Sequence, residues 1–298
     1  MSITTSSNAA AQLEVVVDSR CVIGEGPLWH PMEERLYWVD IQGCKILRYD
    51  PASGAHESFD SGDSVGGFTI QRDGSLLLFM TRGRIQTWRD GKFLKLVGEF
   101  PKDCPTRFND VIADPDGRVF CGTMPLANDW SGGLFRLDQD GKFTRLLTGV
   151  GIPNGMGFSR DLRQMYFTDF EAREIYLFDY DRKAGAISNK RLFVRVPEGQ
   201  GNPDGMTVDT EDHVWSARWD GGCVVRYSPD GIEKDRISFP ARKISSVTFG
   251  GGDHTQMYFT TAGGDRRETE GNGAGALFRT RAAIGGVPEF QSAVLTAC

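Results

Sequence analysis

Glu25 in GEGPLW, Asn109 in RFNDVI, Asn154 in IPNGMG and Asp204 in NPDGMT each stand just ahead of a short apolar segment, at one phase of a repeating pattern. Two carboxylates and two amides brought together would make an all-oxygen set, the donor type preferred by hard divalent cations such as Ca²⁺, Mg²⁺ or Mn²⁺. Three or four side-chain donors would leave coordination positions for water and for a bound molecule. Asn-Gly pairs are also common turn formers. Asn154 therefore carries a second expectation: the chain bends at Asn154 and Gly155, and the bend aims the amide oxygen. Arg107 lies two residues before Asn109. In an extended stretch the two side chains share a face, where the guanidinium can grip hydroxyl or carboxylate oxygens of a ligand.

Residues so far apart in sequence meet only if a repeated architecture brings them together. The chain contains such a repeat: GPLWHPMEERLYWVD (26–40), GGFTIQRDGSLLLFMT (66–81), NDVIADPDGRVFCGTM (109–124), NGMGFSRDLRQMYFTD (154–169), DGMTVDTEDHVWSARW (204–219) and SVTFGGGDHTQMYFTT (246–261). A period of roughly 40 to 50 residues is the signature of stacked β-units. Within each unit apolar and polar residues alternate and Val, Phe, Tyr and Trp are frequent, as in half-buried strands. The segments 45–55, 133–143, 174–187 and 223–233 supply a further strand and an outer hairpin turn in their units. The predicted fold is all-β: a six-bladed β-propeller with four-stranded antiparallel blades around a central channel, closed by pairing LEVVVD (13–18) with the last blade. Residues 13–298 form one domain in this reading, preceded by a flexible segment, 1–12. The first strand of each blade lines the channel, and the loop entering it opens at one channel mouth. Glu25, Asn109, Asn154 and Asp204 thus converge there, while the second and sixth units hold Val65-Gly66 and Ser245 at that phase.

Composition narrows the partners. The 34 basic and 40 acidic residues give a net charge of −6 spread over the chain, with no basic stripe for nucleic acid or an anionic membrane. The N-terminus lacks a basic, apolar signal pattern, and no apolar run approaches the roughly 18 residues of a membrane span. A small, neutral or polar partner, a cytoplasmic location and a monomer or weak oligomer are the resulting expectations. The six cysteines are scattered and fit reduced thiols, with Cys121 a core residue, and the four histidines lack zinc-site spacing. GDSVG (62–66) matches a nucleophile elbow in letters only, because the elbow must lead into a helix and GFTIQRDGSLLLF continues as strand. Ser64 is accordingly a loop residue. DPDG (114–117) and DQDG (138–141) lack the spaced acidic ligands of calcium loops and are expected to be hairpin turns. The polar segment MPLANDWSGG (124–133) suits a loop overhanging the channel, with no role assigned to Asp129 or Trp130.

The blocks GEGPLWHPMEERLYWVDI, RFNDVIADPDGRVFCGTM, GIPNGMGFSRDLRQMYFTD and NPDGMTVDTEDHVWSARW together resemble the gluconolactonase, regucalcin and senescence-marker-protein family, over about residues 13 to 280. The resemblance implies a six-bladed propeller binding one divalent metal ion (Ca²⁺, Zn²⁺, Mn²⁺ or Mg²⁺) in its channel and hydrolysing sugar lactones. It implies Glu25, Asn154 and Asp204 as metal ligands and Arg107 and Asn109 as substrate contacts. The expected reaction is opening of an aldonolactone such as gluconolactone to the aldonic acid, with Asp204 as candidate general base for the attacking water. A calcium-binding regulatory protein without turnover, or an organophosphate or aryl-ester hydrolase using the same metal, are the alternatives.

Overall fold

The computed structural model describes residues 13–99, 107–125 and 130–295. The proposed flexible segment 1–12 lies outside them, as do Cys104, Asp129 and Cys298. Six four-stranded antiparallel sheets follow one another along the chain. Blades 1 to 5 begin with the inner strands Gly24–His30, Val65–Ile70, Phe108–Ala113, Pro153–Phe158 and Asn202–Val208. Blade 6 begins with Ile244–Gly250 and is completed by Gln256–Thr261, Leu277–Arg281 and, outermost, the N-terminal strand Glu14–Val17. Glu14 pairs with Arg279 and Val17 with Leu277, so the ends of the chain close the ring as the sequence predicts. Neighbouring inner strands touch in order around the axis, blade 6 against blade 1 included.

The core lies between blades. Tyr37, Val39 and Ile46 of blade 1 meet Phe68, Leu78 and Trp88 of blade 2, and five similar clusters fill the other gaps. This arrangement corrects the expected alternation. Inner and second strands such as Val65–Ile70 and Leu76–Met80 are buried along their whole length, because a blade covers each face. Polar exposure is concentrated instead in outer strands such as Glu233–Ser238. The expected hairpin turns are present: Asp114 O accepts the Gly117 N–H and Asp138 O accepts the Gly141 N–H, with Gly117 and Gly141 at φ +88° and +87°. Ser64 precedes a strand, and Cys121 is fully buried, both as predicted. Cys21, Cys44, Cys121 and Cys223 are free thiols. No helix among the described residues is long and apolar enough to cross a membrane.

After residue 281 the chain crosses the end of the propeller opposite the predicted site. Val287 donates to Val208 O, Ser292 to Ile70 O and Ala293 to Gly117 O, and the Phe290 ring lies 6.2 Å from that of Phe158. Val208, Ile70 and Phe158 are the last or near-last residues of their inner strands, so this segment seals one mouth of the channel.

Candidate metal centre

The ligand candidates sit inside the inner strands, not in the loops before them. Every inner strand shifts register against its neighbour at the same level: Glu25 to Leu28, Val65 to Gly67, Phe108 to Val111, Asn154 to Met156, Pro203 to Met206 and Ile244 to Ser246. A β-bulge re-aims a side chain without ending the strand. The expected turn at Asn154 is therefore replaced by a bulge, and Gly155 keeps an ordinary negative-φ strand conformation. Glycine is needed there for a different reason. A Cβ on Gly155 would lie 2.5 Å from Asp204 O and 2.8 Å from Met206 N, and one on Gly205 would lie 2.1 Å from Ser246 Oγ. The missing side chains let adjacent blades approach closely enough for Asn154 and Asp204 to share one site.

Glu25, Arg107, Asn109, Asn154 and Asp204 line one cavity of about 490 Å³, counting the part open to solvent. All five sequence-predicted residues are thus brought together. Met124, Ile152, Phe170 and Trp219 form its apolar wall, with the Phe170 and Trp219 rings edge to face at 6.4 Å. Ile41, Met124, Phe170 and Trp219 all stand at the end of a second strand or one residue beyond it, a phase of the repeat that also points to this mouth. Of the loop expected to overhang the channel, residues 126–129 lie outside the described residues; Met124 reaches the cavity and Trp130 is 46% exposed.

Asn109 is held from both ends of its amide by the protein. Its Oδ1 accepts from Arg107 Nη1 at 2.9 Å and its Nδ2 donates to Pro153 O at 2.8 Å, tying blade 3 to blade 4. Arg107 Nη1 also donates to Phe108 O, which leaves its Nε and Nη2 without a protein partner among the described residues and available to a ligand. Asn109 thus positions the guanidinium as well as lining the site.

The two carboxylates are held without a counter-charge in contact. Among the described residues neither Glu25 nor Asp204 forms an ion pair, and Asp204 Oδ1 is buried without a hydrogen-bond partner. Burial first, and then the Asp110 charge, push the Glu25 carboxyl up to about 8, opposed by the Gly26 N–H and Arg107. Burial, Glu25 and Asp110 hold Asp204 well above the usual carboxylate range, with Asn154 and the buried Arg218 opposing. Arg218 acts on Asp204 from a distance rather than as an ion-pair partner, its guanidinium donating to Ser216, Ala217 and Tyr227. Two carboxylates without an ion-pair partner, one of them carrying an orphaned buried oxygen, and an amide fit a divalent cation.

A stability consequence follows. Both folded-state pKa values lie above the unfolded ones, so these carboxyls contribute fully to the stability of the metal-free fold below about pH 4. That contribution is lost as pH rises through the folded value of about 8 for Glu25. Thermal unfolding of chelated protein should show Tm falling from pH 5 to 8, with added Ca²⁺ reversing the fall. A chelated Tm independent of pH would contradict the uncompensated pair.

Residues 23–263 match the family described as the SMP-30/gluconolactonase/LRE-like region. The chain is 55% identical over 290 residues to the pentonolactonase XacC of Haloferax volcanii, covering 94% of this chain and 97% of that protein. It is 34% identical over 259 residues to the L-arabinolactonase of Azospirillum brasilense, covering 85% of each. Among solved structures, a calcium-binding regucalcin from Agrobacterium tumefaciens superposes with a TM-score of 0.86 at 24% identity over 94% of this chain and 97% of that one, a likeness of fold.

Proposed function

The chain belongs to the SMP-30/gluconolactonase/LRE-like family, and from that premise we propose that it is a metal-dependent lactonase opening aldonolactones to aldonic acids, five-carbon lactones foremost. The preference for a five-carbon ring rests on the similarity to the Haloferax pentonolactonase. The observation that carries the catalytic reading is the meeting of Glu25, Asn154 and Asp204 at one bulge level, with an unpartnered Asp204 oxygen in a cavity that Arg107 also lines.

Glu25, Asn154 and Asp204 would hold the cation. When bound, it would supply Lewis-acid polarisation of the lactone carbonyl, worth several kcal/mol of charge stabilisation. Arg107 donates from its free nitrogens to the hydroxyls of the sugar, and Asn109 fixes the angle of that guanidinium. Phe170 and Trp219 shield one side of the cavity from water. Water attacks the carbonyl carbon, its proton passes to the Asp204 carboxylate, the ring C–O bond breaks, and the departing ring oxygen takes up that proton.

The test is acid release from pentonolactones and hexonolactones, corrected for spontaneous opening, before chelation, after it and on metal add-back. Turnover should vanish on chelation, return with a divalent ion and be fastest on a pentonolactone. Cation binding without turnover of any lactone would overturn the lactonase reading in favour of a calcium-binding protein.

A further inference from the structure

Asp110 and Glu289 are carboxylates that the lactonase reading does not use. Asp110 follows Asn109 on the inner strand of blade 3, and Glu289 enters the channel from the C-terminal segment that seals its far mouth. Both line a second cavity of about 550 Å³, counting the part open to solvent, walled further by Thr69, Met156, Met206 and Ser246. None of the three metal-ligand candidates lines it. Asp110 Oδ1 accepts the Val111 N–H at 2.9 Å, and Glu289 Oε1 accepts the Thr207 hydroxyl at 3.4 Å. Among the described residues neither acid has an ion-pair partner.

Burial pushes Asp110 up to about 6; burial and then the Asp110 charge push Glu289 up to about 7. Asp110 and Glu289 are half-buried at the channel wall, and carboxylates partly withdrawn from water with no cation beside them recover the cost by taking a proton or by binding a cation. An independent feature favours the cation. Ser246 is only 6% exposed, lines the same cavity, and its hydroxyl has no hydrogen-bond partner among the described residues. This unpartnered hydroxyl on a residue of the cavity wall is a further oxygen donor for a cation held there.

We propose that this cavity is a second cation site, in which the Asp110 and Glu289 carboxylates and the Ser246 hydroxyl hold a hard divalent cation together with water. The donors are all oxygen, the two carboxylates match the charge of the ion, and the volume accommodates a partly hydrated one. Glu289 gives the site a structural effect, since the ion joins the C-terminal segment to an inner strand.

The experiment counts ions. Purified protein is dialysed against millimolar CaCl₂, Ca²⁺ per chain is measured, and the Ca²⁺-induced rise in Tm is recorded alongside. Wild type should bind two ions, Glu25→Gln one, Glu289→Gln one, and the double variant none. Glu289→Gln should keep lactone turnover within about twofold while losing part of the Tm rise. Ser246→Ala, which removes only a hydroxyl, should weaken the second ion several-fold without affecting the first, and it serves if Glu289→Gln does not fold. One ion per wild-type chain, or an unchanged count in both Glu289→Gln and Ser246→Ala, would overturn the proposal. The count does not depend on turnover, so it separates this site from the lactonase reading.

Discussion

Asp204→Asn is expected to cut lactone hydrolysis by about a thousandfold, since a positioned general base alone contributes roughly 10²–10⁴-fold. The same residue is a cation ligand, so Ca²⁺ affinity should fall with the rate. The amide occupies almost the same volume, which keeps blades 4 and 5 in register around Asn154 and Met206. Stability should move the other way. Asp204 is a buried acid held well above its ordinary pKa in the metal-free state, so replacing it with a neutral amide removes a penalty that grows with pH. Chelated Asp204→Asn should therefore melt no lower than chelated wild type at pH 8. Loss of activity with unchanged or improved metal-free stability is a pattern that a merely misfolded variant would not produce. Full activity with full metal content in Asp204→Asn would remove this residue from both roles.

The second large effect is a single methyl group. Gly155→Ala would place a Cβ 2.5 Å from Asp204 O and 2.8 Å from Met206 N, both backbone atoms of the neighbouring blade. Neither can rotate away, so the inner strands must separate. Overpacking of this kind costs typically about 1–3 kcal/mol, and in a domain this large each kcal/mol lowers Tm by roughly 2–4 °C. The displaced strands carry Asn154 and Asp204, so Ca²⁺ affinity should fall together with Tm. Gly98→Ala is the control, because a Cβ there meets nothing within 4 Å and its backbone is not left-handed. It should melt within about 1 °C of wild type. A Gly155→Ala protein with wild-type Tm and Ca²⁺ affinity would show that close approach of blades 4 and 5 does not set the site.

The blade count, the ring closure by residues 13–18 and the convergence of Glu25, Asn109, Asn154 and Asp204 were legible because strand and turn chemistry recur at one spacing. The reason Asn154 reaches the axis was not. An Asn-Gly pair is a local turn signal, whereas the bulge at Asn154 belongs to its pairing with the next strand, and the backbone packed against Gly155 comes from a neighbouring blade some fifty residues further on. Strand burial was misjudged for the same reason, since a strand cannot announce that a second blade covers its outer face. Phe170 and Trp219 were within reach. Carrying the phase comparison from the starts of first strands to the ends of second strands would have found both, together with Ile41 and Met124. Asp110 was visible beside Asn109 but lacked a partner in sequence. Glu289 belongs to a segment outside the repeat, and only the crossing of the far mouth brings it to the axis.

Pairing of Glu14 with Arg279, 265 residues apart, imposes an order of events during biosynthesis. The first strand made cannot find its partner until nearly the whole chain has been translated, which at roughly 5–20 residues per second takes on the order of tens of seconds. Through that interval Glu14–Val17 has no strand to pair with, and the Trp29 and Trp38 side of blade 1 has no Tyr258 or Leu277 to cover it. Until then the ring stays open at one seam, which closes when Glu14–Val17 meets Leu277–Arg281.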